Sequence, residues 1–186
     1  MDASYRRVVL TSGHLIDGVD RAVPRFPPCL EPAVANEIES MFDRWAICPQ
    51  DLVLNGAARG ADILFAESAH RRGAGVEFVL ASPPDEFEQS SIALPRSIWA
   101  QRFRYLLSQY PYRVVPRASE NAPDNEYVRA NLELLRRAQQ LCPPGELHVG
   151  LVWDEQPAEG QGGTAEFVAL AASTGAPLLV INPATL

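Results

Sequence analysis

At 186 residues and 47% hydrophobic, the chain can bury one substantial core, and no Pro/Gly/Ser-rich linker divides it, so residues 1–186 read as one domain. A formal charge of −7 argues against duplex nucleic acid as a partner, because phosphate backbones are held by clustered positive charge. All 16 basic residues are arginine, which excludes Schiff-base chemistry, a lysine general base and a lysine phosphate contact.

A β-rich run at 8–11 leads into Ser12-Gly13-His14, where the strand is expected to give way to a loop whose glycine lets Ser12 and His14 reach a ligand. Arg25-Phe26-Pro27-Pro28 is a rigid segment whose arginine can reach an anion. Helix 31–45 follows, with Val34, Ile38, Met41, Phe42 and Trp45 on one face and Pro32 in its first turn. The run 52–54 ends in Asn55-Gly56-Ala57-Ala58-Arg59-Gly60-Ala61-Asp62, the strongest local signal. There Asn55 and Gly56 suit the strand exit, Gly60 permits close backbone approach, Arg59 supplies the turn's cation, and Asp62 suits either a ligand or the positive end of helix 61–72. Glu67, five residues on, reads as a solvated or ion-paired position rather than a catalytic one.

After the strand at 76–80, Ala81-Ser82-Pro83-Pro84 and the polar segment 84–91 offer hydroxyls to a sugar or phosphate, with Ser82 the chosen candidate. Helix 94–109 carries Trp99, Arg102 and Phe103 on one face, where core packing is favoured over base stacking. A strand at 112–115 precedes helix 125–141, on which Tyr127 and Asn131 project together while Arg129 points elsewhere. The strand at 147–152 ends in Trp153-Asp154, suited to framing a base and binding a ribose hydroxyl. Gly162-Gly163-Thr164-Ala165-Glu166 then opens helix 164–173, with Thr164 as the expected N-cap, before a last strand at 178–181.

Strands alternating with helices of this length predict an α/β, Rossmann-like, doubly wound and mainly parallel sheet with helices on both faces. In such a sheet ligands bind beyond the carboxyl ends of the strands, where the strand order reverses. Two glycine-rich turns there point to a phosphate-bearing ligand, since the first turn of a helix offers unpaired N–H groups to an anion. Neither turn is a P-loop or a Gly-x-Gly-x-x-Gly fingerprint, and no resident cofactor is expected.

Cys29, Cys48 and Cys142 lie far apart, and His14, His70 and His148 are widely spaced, so neither a disulfide framework nor a metal centre is indicated. The polar N-terminus lacks a signal-peptide core, and no apolar run approaches the roughly 20 residues that span a bilayer, so a soluble cytoplasmic protein with no membrane partner is expected.

Ser12-Gly13-His14, Asp17, Arg25-Phe26-Pro27, the run Gly60-Ala61-Asp62-Ile63-Leu64-Phe65-Ala66-Glu67, Tyr127, Asn131, Trp153 and Gly162-Gly163-Thr164 resemble, in order, a bacterial branch of the SLOG superfamily. This superfamily of Rossmann-like domains includes the DNA-processing protein A and Lonely Guy families. The resemblance implies a site for a nucleotide or nucleotide-derived small molecule at the carboxyl edge of the sheet. It also implies a sensor role in signalling or antiviral defence, self-association into a homo-oligomer, and an effector protein as partner. The alternative is an N-glycosidase, phosphoribohydrolase or deoxyribosyltransferase-like enzyme with a carboxylate such as Glu166, Glu67 or Asp62 at the reacting centre. In the Lonely Guy motif the catalytic glutamate stands three residues after the threonine; here that position is Phe167, and Glu166 comes one residue early. One residue turns a helical side chain by about 100°. Binding of single-stranded DNA, as by DNA-processing protein A, runs against the acidic charge and the absence of lysine.

Overall fold

A computed structural model describes residues 5–116, 125–157 and 163–186. Six strands, β1 (Arg7–Gly13), β2 (Asp51–Asn55), β3 (Gly75–Leu80), β4 (Tyr112–Val114), β5 (Leu147–Val152) and β6 (Leu178–Ile181), form one sheet in the order β4-β3-β2-β1-β5-β6. Every neighbouring pair is parallel. Six helices connect them: α1 (Glu31–Arg44), α2 (Ala61–Arg71), α3 (Pro84–Phe87), α4 (Trp99–Gln109), α5 (Glu126–Leu141) and α6 (Thr164–Ala172). The architecture is the expected Rossmann-like α/β sheet. β2 is buried along its whole length, as a central strand covered on both faces must be.

The chain runs outward from β1 to β4 and then returns to the other side of β1 through β5 and β6. Right-handed crossovers require the connecting helices to change faces when the direction reverses. Accordingly α1 and α2 pack together with α4 beside them, whereas α5 packs against α6 and crosses β1, β2 and β3. α1 buries Val34, Ile38, Met41 and Phe42, and α5 buries Ala130, Leu134 and Ala138, each set at helical spacing. The side chain of Asn125 caps α5 by accepting from the N–H groups of Tyr127 and Val128.

Three local expectations differ from the structure. β1 continues through Ser12 and Gly13, whose partners on β5 are Leu151 and Val152, so these two residues belong to the strand and not to a loop. A side chain at position 13 would lie 2.5 Å from the Val152 carbonyl oxygen and 2.6 Å from Ala61 Cβ, so only glycine lets the strand run on beneath α2. Helix 94–109 begins at Trp99, because Pro95 disfavours helix at Leu94 and Arg96 takes a left-handed φ of 60°. The N-cap of α6 is Gly163, with Thr164 as its first helical residue.

Candidate functional site

β1 and β5 are adjacent, and the chain leaves them in opposite directions, to β2 and to β6, so their carboxyl ends bound the crevice where a doubly wound sheet takes its ligand. The turn after β2 is locked against this crevice. Gly60 has φ 96°, and a Cβ there would lie 2.5 Å from the Ile16 nitrogen and 2.7 Å from the His14 carbonyl oxygen. The Ala61 N–H donates to that same carbonyl at 3.2 Å. Buried Asn55 donates through Nδ2 to Thr11 Oγ1 (3.1 Å) and to the Asp62 carbonyl (2.9 Å), and its Oδ1 accepts from the Ala57 N–H (3.0 Å).

A cavity of about 420 Å³ opens at this edge, within the range of small-molecule sites. Strand order separates its two ends. Over β1 and the β5 side lie Ser12, Gly13, His14, Asp17, Arg21 and Arg25, with Gly163 and Thr164 from the start of α6. Toward β3 lie Val79, Ala81 and Phe87, roofed by Ala130 and Leu134 of α5. Strands about 4.8 Å apart put β5 and β3 roughly 14 Å from each other across β1 and β2. Tyr127, Asn131, Ser90 and Ser91 add polar groups, and Ser91 Oγ, 3.0 Å from the Tyr127 hydroxyl, links the segment after α3 to α5. Gly56, Ala58 and Asp62 form the wall at β2.

The cationic end is organised by Asp17. Its Oδ2 accepts from the N–H groups of Arg25 and Phe26, both at 2.8 Å, and Oδ1 lies 3.2 Å from Arg21 Nε. Arg25 Nε stands 3.4 Å from Asp154 Oδ2, and its Nη2 donates to the Pro157 carbonyl at 2.6 Å. Behind the cavity wall, Asp154 Oδ1 is 2.8 Å from His14 Nε2. Burial holds His14 below the ordinary imidazole range against the upward pull of Asp154. Burial also pushes the Asp154 carboxyl up, but hydrogen bonds from His14 and the Gln156 N–H, with the charge of Arg25, bring it below its ordinary range. The pair is therefore a neutral imidazole beside a carboxylate at neutral pH.

Asp62 is the outlying acid. It is 6% exposed; its Oδ2 accepts from the Ala58 N–H at 3.1 Å, while Oδ1 has no hydrogen-bond partner. Burial raises its pKa to about 7, against the opposing pull of the Ala58 and Gly56 N–H groups.

No family model matches this chain, and no curated protein matches it. Among solved structures it aligns with TM1055, a structural-genomics target, at 17% identity and a TM-score of 0.49, over 92% of this chain and 72% of that one. DNA processing protein A from Streptococcus pneumoniae aligns at 13% identity and a TM-score of 0.42, over 94% of this chain and 58% of that one. DNA processing protein A from Helicobacter pylori, described for its single-stranded DNA binding mode, aligns at 13% identity and a TM-score of 0.49, over 96% of this chain and 66% of that one. At such identity, and with each TM-score under 0.5, these likenesses carry no statement of function. Neither a cluster of three metal-ligating side chains nor a helix long and apolar enough to cross a membrane occurs among the described residues.

Of the residues singled out from sequence, the structure brings Ser12, Gly13, His14, Arg25, Gly56, Asp62, Asn131, Gly163 and Thr164 to the cavity. Arg59 lies outside the lining: its Nε donates to the Ile16 carbonyl (3.3 Å) and Nη1 to the Ala93 carbonyl (3.5 Å), so it ties two loops together. Gly60 is packed behind the wall against His14 and Ile16. Ser82 is buried outside the lining, and Trp153 donates its indole N–H to the Gln156 carbonyl at 3.1 Å. Asp154 supports His14 and Arg25 from behind, and Glu166 is not part of the lining. Gly162 lies outside the described residues. Glu67 is bidentate to Arg102, with 2.7 and 2.6 Å bonds. Arg102 also bonds Glu31 at 2.6 Å and lies 4.0 Å over the Trp99 ring, so this face is structural. Sequence reasoning left Arg21, Ala130 and Leu134 out of the site. Ala130 and Leu134 could have been found, since they share a helix face with Tyr127 and Asn131; nothing in the sequence around Arg21 marks it.

Proposed function

We propose that this chain binds a nucleotide or nucleotide-derived ligand at the carboxyl edge of the sheet and acts as a sensor of the SLOG type. One observation supports the reading: a single cavity joins an arginine-bearing end past β1, beside the start of α6, to an apolar end over β3. The phosphate lies against Arg21, Arg25 and the first turn of α6, where the helix dipole favours an anion. The base lies between Val79, Phe87 and Leu134, with Tyr127 and Asn131 at its polar edge. Signalling or antiviral defence, with self-association and an effector protein, is the biological setting that goes with a sensor.

Glu166 outside the lining and Glu67 committed to Arg102 favour sensing over cleavage. The enzymatic alternative, hydrolysis or transfer at an N-glycosidic bond, is supported by the carboxyl of Asp62 in the cavity wall. Titration with ribonucleoside 5′-monophosphates, dinucleotides and ADP-ribose, with chromatography of each mixture for released base, separates the two. Saturable binding of intact ligand is expected. Arg25→Ala and Arg21→Ala should each weaken it by about 1.5 to 3 kcal/mol. Unchanged affinity in both variants removes the cationic end from the phosphate role, and release of base makes the enzymatic reading primary.

A further inference from the structure

His14 divides its two ring nitrogens between the protein and the cavity. Nε2 faces Asp154, 2.8 Å from Oδ1 and 3.1 Å from the backbone nitrogen. The shorter contact, to a carboxylate, is satisfied by a proton on Nε2, and a neutral imidazole protonated there carries a lone pair on Nδ1. Nδ1 has no hydrogen-bond partner among the described residues, yet it is not sealed from solvent as Asp62 Oδ1 is, and His14, 7% exposed, lines the cavity. A side chain more than nine-tenths buried therefore keeps one polar atom available to a ligand.

An anion entering at this end meets little net charge. Arg21 lies 3.2 Å from Asp17 and Arg25 lies 3.4 Å from Asp154, so two guanidinium groups are offset by two carboxylates. A phosphate diester brings one negative charge. A terminal monoester brings nearly two at neutral pH, and its oxygens still bind a proton at about pH 6. Between such an oxygen and the lone pair on Nδ1, one proton completes a charge-assisted hydrogen bond and offsets the excess charge.

Resting on the nucleotide reading above, we propose that His14 selects a terminal phosphate monoester, one proton being taken up with the ligand and held between Nδ1 and a phosphate oxygen. The proton comes from solvent, and no covalent bond of the ligand forms or breaks. Asp154 supports the resulting imidazolium by accepting from Nε2 while Nδ1 donates to the phosphate. In the free chain burial keeps His14 neutral, so the proton arrives with the ligand. The other charged or titratable groups around it are Asp154 after β5, Asp17, Arg21 and Arg25 after β1, Asp62 of α2 and Tyr127 of α5. The arginines keep their charge, whereas Asp62 titrates at about 7 and is the rival for the proton.

The test is isothermal titration calorimetry of the full chain with each ribonucleoside 5′-monophosphate and with its 5′-methyl phosphate diester. Buffers of different ionisation enthalpy at pH 7.5 count protons, and affinities are compared at pH 6.5 and pH 8. About one proton should be taken up per monoester and far less per diester, and monoester affinity should fall about 5-fold from pH 6.5 to pH 8. His14→Gln should bind the monoester about 10-fold more weakly and lose the uptake. Monoester binding without uptake, or equal uptake with the diester, overturns the role of His14 and leaves the nucleotide reading in place. Uptake that persists in His14→Gln assigns the proton to Asp62 and overturns it as well. Failure of every nucleotide to bind overturns both readings. The comparison of monoester with diester needs no variant, so a misfolded His14→Gln protein cannot mask the outcome.

Discussion

The turn that opens α2 is held from within, whereas the first turn of α6 faces the cavity through Gly163 and Thr164. Both are glycine-bearing exits from a buried parallel strand. In the first, Asn55, Gly60 and the Ala58 and Ala61 N–H groups bond or pack against the chain itself, and the acid at the helix start is buried. A glycine-rich turn is thus no proof of a phosphate cradle. Where the protein consumes its own donors the turn is scaffold, and an anion is drawn instead to a helix start that opens on the cavity.

The largest effect that sharpens this contrast is Gly60→Ala. A methyl group 2.5 Å from the Ile16 nitrogen, on a backbone at φ 96°, should cost about 3 kcal/mol or more, read as a lowered urea midpoint. Gly163→Ala, at φ −79° and ψ 177°, should change stability by less than about 1 kcal/mol. Similar losses in the two variants would dissolve the distinction.

Next in size is the pH dependence of the buried acid. The folded chain holds the Asp62 proton up to about 7, whereas the unfolded chain releases it in the ordinary aspartate range. Its contribution is therefore least unfavourable below that range, and stability is lost as pH rises from there through about 7. Asp62→Asn should remove this loss and be more stable than the unaltered chain by about 1 kcal/mol or more at pH 8. Denaturation curves at pH 5 and pH 8 check it; parallel behaviour of the two proteins would show that the carboxyl is not the burden described.

A smaller loss is expected at α4. Arg102→Ala removes a guanidinium that joins Glu67 and Glu31 and covers Trp99, and should cost about 1 to 2 kcal/mol without altering nucleotide affinity. A weakened ligand affinity would place this face in the site after all.

The parallel sheet and the helices were legible because apolar periodicity and strand-helix alternation reflect burial directly, as in Val34, Ile38, Met41 and Phe42. Ser12, Gly13, His14 and Asp62 were legible as lining of the candidate cavity because strand order concentrates such groups at the carboxyl edge. Arg59 was not, since the sequence names a cation without telling whether a carbonyl such as that of Ile16 will occupy it. Arg21 depends on a long-range frame, being brought to the cavity through the clasp that Asp17 makes with Arg25 and Phe26. The neutral state of His14 likewise follows from burial, which outweighs the upward pull of Asp154, 140 positions away in the chain.

The most direct test of the central claim compares one ribonucleoside 5′-monophosphate with its nucleoside and its free base in equilibrium binding to the full chain, with Arg25→Ala alongside. The account predicts saturable binding of the monophosphate, at least about 10-fold weaker binding once the phosphate is removed, and loss of that difference in the variant. No binding by any monophosphate, or equal affinity with and without phosphate, would contradict it.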